Sequence, residues 1–142
     1  MRTNLKVSTG VAYDKPPSLV MQMAERSPSV YDFPYRRSIR IGYLYISMYF
    51  AELQYLNASS VREFDLYMDG TKLHGPIQPR YLESSNVSVL IPYGITDQMA
   101  FRIQITNRST LPPIFNALEI YRQSGLRRND TFGEDGMYSV IY

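Results

Sequence analysis

Four acidic side chains have the chemistry for acid–base catalysis: Glu52, Glu63, Asp65 and Asp69. Glycoside hydrolysis, for one, needs two carboxyl groups facing one cleft with separated pKa values. Here Glu63, Asp65 and Asp69 alternate with Phe64, Leu66 and Met68, so they share the polar face of one strand. Glu52 sits in the loop before it. Such a row reads as a solvated strand face rather than a cleft. Asp65 and Asp69 lie about 13 Å apart at the usual strand rise, too far to share a calcium ion through bonds of about 2.4 Å. The single histidine, His74, precedes Gly75-Pro76 and has neither a serine elbow nor a metal-spaced partner. It reads as a loop or strand-end residue. The chain has no cysteine, which excludes thiol nucleophiles, thiolate zinc sites and disulfides. No glycine-rich phosphate cradle occurs. The expectation is a protein that is not an enzyme and uses no cofactor or metal.

Binding chemistry is better represented. The chain has 13 tyrosines and no tryptophan. A tyrosine ring can stack on the apolar face of a sugar while its hydroxyl stays wet. Tyr43, Tyr45 and Tyr49 fall in one row, Tyr67 joins the Glu63/Asp65 face, and Tyr81 and Tyr93 fall in loops. Rows of tyrosine on strands usually serve cross-strand packing. Loops at a sandwich edge carry binding, so Tyr81 and Tyr93 lead a candidate ligand set completed by Tyr43, Tyr45 and Tyr67. Four Asn-x-Ser/Thr sequons begin at Asn57, Asn86, Asn107 and Asn129. Roughly one would arise by chance from six asparagines in a chain with about 15% Ser plus Thr. The excess reads as N-glycosylation, against the plainer reading of Asn and Ser as turn formers.

These residues need a scaffold, and period-two patterning supplies it. In Ile39–Phe50, Leu44, Ile46, Met48 and Phe50 alternate with Tyr43, Tyr45, Ser47 and Tyr49. Glu63–Asp69 and Met99–Thr106 alternate as cleanly, so each predicts a strand with one buried face. Weaker strand patterns cover Leu19–Ala24, Thr71–His74, Val87–Ile91 and Ile114–Tyr121. Asp69-Gly70 predicts a type I′ hairpin turn. Gly75-Pro76, Pro79, Pro92 to Gly94 and Pro112-Pro113 punctuate the rest. No stretch keeps helical periodicity over three turns. Seven or so short strands predict an all-β antiparallel sandwich of residues 17–123. Residues 1–16 read as a loosely ordered opening and 124–142 as a polar tail.

Charge and targeting narrow the partners. A formal charge of +2 makes no electrostatic case for nucleic acid or a membrane surface. Arg36-Arg37 with Arg40, and Arg127-Arg128, are small basic clusters without a nucleic-acid motif. The first reads as a solvated strand entry, with an anionic pectin-type ligand as the alternative. No signal peptide and no apolar run of about 20 residues is visible. Direct membrane insertion is therefore not expected.

Four blocks carry a family resemblance by their order and spacing: Pro17 to Ala24, Tyr45 to Leu53 ("YFAEL" at its end), Arg62 to Gly70, and Ser109 to Tyr121 ("LPPIFNALEIY"). Together they resemble the malectin-like domain of plant leucine-rich-repeat receptor kinases, over about residues 5–123. The resemblance implies a jelly-roll-like malectin-type sandwich. It also implies a non-catalytic module outside the plasma membrane that recognises a cell-wall carbohydrate, a peptide or a co-receptor. The chain is similar to the second of two tandem modules. It lacks the first module's cysteine and tryptophan segments, leucine-rich repeats, a membrane span and a kinase, and so reads as a partial receptor. Met23, Tyr49 and Asp69 depart from residues common in the family. The alternative is a free lectin-like carbohydrate-binding protein.

Overall fold

The structure is a computed structural model that describes residues 1–10, 16–26, 30–36, 42–93, 98–124 and 138–141. Among the described residues, a four-residue helix, α1 (Ser18–Met21), is followed by ten strands. These are β1 (Glu25–Arg26), β2 (Val30–Arg36), β3 (Gly42–Phe50), β4 (Phe64–Met68) and β5 (Thr71–Ile77). They continue with β6 (Ser85–Tyr93), β7 (Gln98–Ile105), β8 (Ile114–Phe115), β9 (Ala117–Ser124) and β10 (Tyr138–Ile141). One four-stranded sheet runs β10-β9-β3-β6 and a second runs β2-β7-β4-β5, while β1 and β8 form a small pair. Every strand pairing is antiparallel. This is the all-β sandwich that the patterning predicts.

The core lies between the two larger sheets. Leu44, Ile46, Met48 and Phe50 of β3 are fully buried, as are Phe64 and Leu66 of β4 and Phe101 and Ile103 of β7. Each such side chain contributes about 1.5–3 kcal/mol by leaving water. Phe50 meets Phe64 across the sandwich at 5.2 Å between ring centres. The three clean alternating patterns thus became β3, β4 and β7. The Asp69-Gly70 hairpin also formed, with positive φ at both residues (47° and 80°), as a type I′ turn requires.

Three elements differ from the sequence patterning. Leu19–Ala24 is not a strand: its first half is α1. Val20 and Met21 donate backbone N–H groups to the Pro17 carbonyl, and the buried residues are Met21 and Ala24, three apart, while Leu19 and Met23 are exposed. The bond from Met21 back to Pro17, four residues earlier, is helical, and Ala24 lies beyond the helix. Ile114–Tyr121 is two strands, β8 and β9, interrupted at Asn116. The patterning did not mark β2. It carries Pro34 at its centre and lies at a sheet edge, where proline is tolerated.

The expected one-sided burial of β3 also needs correction. Ser47 and Tyr49, on its polar face, are buried too. The Tyr49 hydroxyl donates to Glu119 Oε2 at 2.8 Å, and Tyr121 donates to the same oxygen at 3.0 Å. A tyrosine can lie buried there because its one polar atom has a partner. The opening segment joins the body as well. Val7 is buried in the core. Ser8 bonds on both sides to the 82–84 segment, receiving from Ser84 and donating to Leu82. Most of the 124–142 tail lies outside the described residues.

Candidate functional site

The acidic residues come first, because their sequence pattern misleads. Glu52, Arg62 and Glu63 are buried rather than solvated. Arg62 Nε lies 2.6 Å from Glu52 Oε2, with both side chains almost wholly out of water. The same guanidinium donates through Nη1 to the Pro112 carbonyl and through Nη2 to Gln54 Oε1 at 3.3 Å. Glu52 Oε1 accepts the Gln54 backbone N–H at 3.0 Å. A buried ion pair persists only where further hydrogen bonds satisfy the remaining polar atoms, and here loop backbone supplies them.

Glu63 is held differently. Thr106 Oγ1 donates to it at 2.6 Å and Gln78 Nε2 at 2.5 Å, with Arg108 Nη1 at 3.9 Å. The Thr106 and Gln78 hydrogen bonds hold its carboxyl below the usual carboxylate range against the opposing effect of burial, with smaller help from Arg108 and Lys72. A carboxylate stabilised this way is a poor general acid. Asp65 lies half-buried, with Lys72 Nζ 2.8 Å from its Oδ1. Gly75, with φ +134°, passes so close that a Cβ would sit 2.2 Å from Asp65 Oδ1. Asp69 belongs to the hairpin turn, where its Oδ1 accepts the Ala100 N–H at 2.9 Å. His74 is exposed within β5, not at a loop or strand end. The acids therefore do not converge on one cleft.

Glu52 also organises the surface. Its backbone N–H donates to the Arg80 carbonyl at 3.0 Å, and its carbonyl accepts the Leu82 N–H at 2.8 Å. The 80–82 loop is thereby laid against the 52–55 loop. Leu82 takes a positive φ of 52° to follow it. The result is an exposed aromatic pair. Tyr55 is 84% exposed and Tyr81 44% exposed. Their ring centres lie 5.7 Å apart and their planes are nearly perpendicular, at 87°. The edge of one ring meets the face of the other, and the pair makes an exposed corner. Beside it, Arg80 and Glu83 pair at 3.0 Å on the surface, and Gln54 is exposed. Such a corner can hold a ligand that is apolar on one side and hydroxylated on the other.

Tyr55 is absent from the sequence-derived set. The available signal was its position in Gln54-Tyr55-Leu56-Asn57, where no strand pattern offers the ring a buried face. The other candidates divide. Tyr45 packs against Tyr121 at 6.0 Å, as tyrosines in a row are expected to do. Tyr43 stays 48% exposed on the same sheet. Tyr67 is half-buried in β4, in register with Lys72 and Arg102. Tyr93 ends β6 opposite Gly42 and is a strand residue, not a loop residue.

The sequons at Asn57, Asn86 and Asn107 are all exposed. Asn57 makes an Asx turn, its Oδ1 accepting the Ser59 N–H at 3.2 Å and the Ser59 hydroxyl at 2.9 Å. Asn86 lies in β6, its Nδ2 donating to Ser88 Oγ at 3.0 Å. Asn107 sits on the turn closed by the bond from Ser109 N–H to the Thr106 carbonyl. Asn129 and the Arg127-Arg128 cluster lie outside the described residues, as do Arg37 and Arg40.

A second, half-buried clip ties the remaining motif blocks together. Asn116 Nδ2 donates to the carbonyls of Met21 at 3.2 Å and Met23 at 3.0 Å, while its Oδ1 accepts the Ala51 N–H at 2.8 Å. With the Arg62 bonds to Glu52 and Pro112, all four sequence blocks meet through two side chains.

Residues 1–123 match the family model of the malectin-like domain. The chain is 32% identical over 126 residues to a probable LRR receptor-like serine/threonine-protein kinase, At1g51810, of Arabidopsis thaliana, covering 85% of this chain and 14% of that protein. It is 36% identical over 91 residues to the Arabidopsis thaliana LRR receptor-like serine/threonine-protein kinase IOS1, covering 61% of this chain and 10% of that protein. It is 32% identical over 136 residues to a probable kinase of the same kind, MEE39, also of Arabidopsis thaliana, covering 91% of this chain and 15% of that protein. The chain thus spans no more than 15% of the length of these relatives. No solved structure is significantly similar.

Proposed function

Because the chain belongs to the malectin-like family, we propose that it is a non-catalytic binding module of the kind found in the ectodomain of a plant receptor-like kinase. Its place of work is the extracellular side of the plasma membrane. No helix among the described residues is long and apolar enough to cross a membrane. The ligand class is a cell-wall carbohydrate. The observation that supports this reading is the Tyr55–Tyr81 corner. An exposed aromatic surface suits the apolar face of a sugar ring, and Arg80, Glu83 and Gln54, neighbours in the two loops, can bond its hydroxyls.

Titration with soluble cellulose-, xylan- and pectin-derived oligosaccharides tests the proposal. Tyrosine fluorescence reports binding without interference, since the chain has no tryptophan. Tyr55→Ala and Tyr81→Ala should each weaken binding about three- to tenfold, the worth of a favourable aromatic contact. Equal affinity in both variants and the parent chain would overturn the site. A peptide or co-receptor ligand is the second reading. It is favoured by Tyr43 and by Leu90, which is 60% exposed on β6. Retention of a receptor ectodomain in a pull-down, lost in Leu90→Lys and kept in Tyr55→Ala, would favour it.

A further inference from the structure

The two four-stranded sheets have four edges, and their residues differ in kind. Natural sheets protect an edge with short strands, proline, charge or bulges, because unpaired backbone groups invite another strand. At one edge, β10 is only four residues long. At another, β2 has Pro34 at its centre, with Asp32 and Arg36 beside it. At a third, β5 contains Lys72 and Pro76, and its pairing with β4 is irregular. The fourth edge, β6, has none of these along most of its length. It is nine residues long, carries no charged side chain, and has proline only at its next-to-last position. Its stretch Asn86-Val87-Ser88-Val89-Leu90-Ile91 combines β-branched and apolar residues with no charge, proline or glycine. That composition pairs readily with a copy of itself. Among the described residues, β6 has a strand neighbour on one side only, β3. An antiparallel β6–β6 contact between two copies would meet no like charges.

What β6 does carry is a sequon. Asn86 is exposed near the start of this strand, with its amide bonded to the hydroxyl of its own sequon serine, Ser88. We propose that Asn86 bears an N-glycan whose role is to shield the β6 edge from pairing with β6 of a second copy. The added strand would have to lie about 4.8 Å from β6, within the space that a branched glycan sweeps. In the modification, the Asn86 side-chain nitrogen attacks C1 of a lipid-diphosphate-linked oligosaccharide. An N–C1 bond forms, the C1–O bond breaks with its electron pair going to the lipid diphosphate, and the nitrogen loses one proton. Asn57 and Asn107 lie on turns, where a glycan would guard no edge. The inference rests on the extracellular reading above.

The test uses the full chain sent through the secretory route of a plant host by an added leader. Glycopeptide mass spectrometry reads occupancy, and light scattering reads mass in solution. The expected result is a glycan on Asn86 and a monomeric parent chain. Asn86→Gln should double the apparent mass, while Asn57→Gln and Asn107→Gln should not. Ser88→Thr keeps the sequon and should stay monomeric. Leu90→Lys, which puts a charge on the bare edge, should return the Asn86→Gln chain to a monomer, and circular dichroism checks that each variant folds. The unglycosylated chain made in bacteria should dimerise, and its Leu90→Lys variant should not. Glycans on Asn57 or Asn107 but not Asn86 would overturn the proposal, as would an occupied Asn86 whose loss leaves the mass unchanged. No glycan at any sequon would overturn it too and would leave the extracellular reading standing, because the added leader supplies the secretory route whatever the chain's own destination.

Discussion

The Glu52–Arg62 pair and the Tyr55–Tyr81 pair start from one loop, at residues 52 and 55, and obey opposite rules. The first consists of charged residues and is buried; the second consists of aromatic residues and is exposed. Average preference would exchange their places. The charges go inside because four irregular loop segments converge there and leave polar backbone and amide groups that a branched, multidentate side chain can bond. Arg62 reaches the Pro112 carbonyl and Gln54, and Glu52 takes the Gln54 N–H. The rings stay outside, on loops whose backbone is held by that same bonding. The lesson is that the residues which mark the family hold the loops, while the exposed rings ride on top of them.

Substitutions can separate the two regions. The largest effect is expected from Arg62→Met. It strands the Glu52 carboxylate in a buried site, which costs about 3–5 kcal/mol and is read by urea unfolding. Adding Glu52→Leu should restore much of that loss, because the uncompensated charge is gone. Asn116→Ala comes next. It frees an N–H and two carbonyls at once and should cost about 1–3 kcal/mol, lowering the unfolding midpoint with no change in sugar affinity beyond that of partial unfolding.

Glu63 gives a smaller, pH-dependent signal. Its folded-state pKa is lowered by the Thr106 and Gln78 bonds. The linked stability is therefore fully present above the ordinary carboxylate value of about 4.5 and is lost as the pH falls below it toward the lowered folded value. Unfolding followed between pH 6 and pH 2, roughly spanning that window, should show a shallower acid loss in Glu63→Gln than in the parent chain. An identical slope would mean that other carboxylates carry the acid response. The smallest stability effect belongs to Tyr55→Ala, within about 0.5 kcal/mol at so exposed a position. The weakened sugar binding expected of that variant would then appear without destabilisation, the reverse of the Asn116 result.

Much of the fold is legible from local pattern. Burial at every second residue follows from the strand pleat, so Leu44, Ile46, Met48 and Phe50 announce β3 and its core face without any partner. The Asp69-Gly70 turn is equally local, because positive φ at two adjacent positions favours those residue types. The weaker elements depend on distant atoms. Leu19–Ala24 became a helical turn followed by a bridge to the opening segment, where Met23 faces Arg2 and the Ala24 N–H bonds the Met1 carbonyl. Ile114–Tyr121 split because Asn116 was needed by Met21, Met23 and Ala51.

The candidate site divides along the same line. Sequence alone determined that the chain is an antiparallel sandwich rich in exposed-capable tyrosine, that its sequons exceed chance, and that thiol chemistry is excluded. Its motif blocks identified the family without saying what they do. Whether Glu63 is a solvated acid or a buried, doubly bonded one depends on Thr106 and Gln78, which are far along the chain. Whether Tyr81 has a partner depends on Glu52 bonding Arg80 and Leu82 from another loop. Periodicity records which face of an element is apolar, but not which loop will cover a polar residue or which ring will find another. Those outcomes are set by contacts between residues distant in the chain, and only the folded structure holds them.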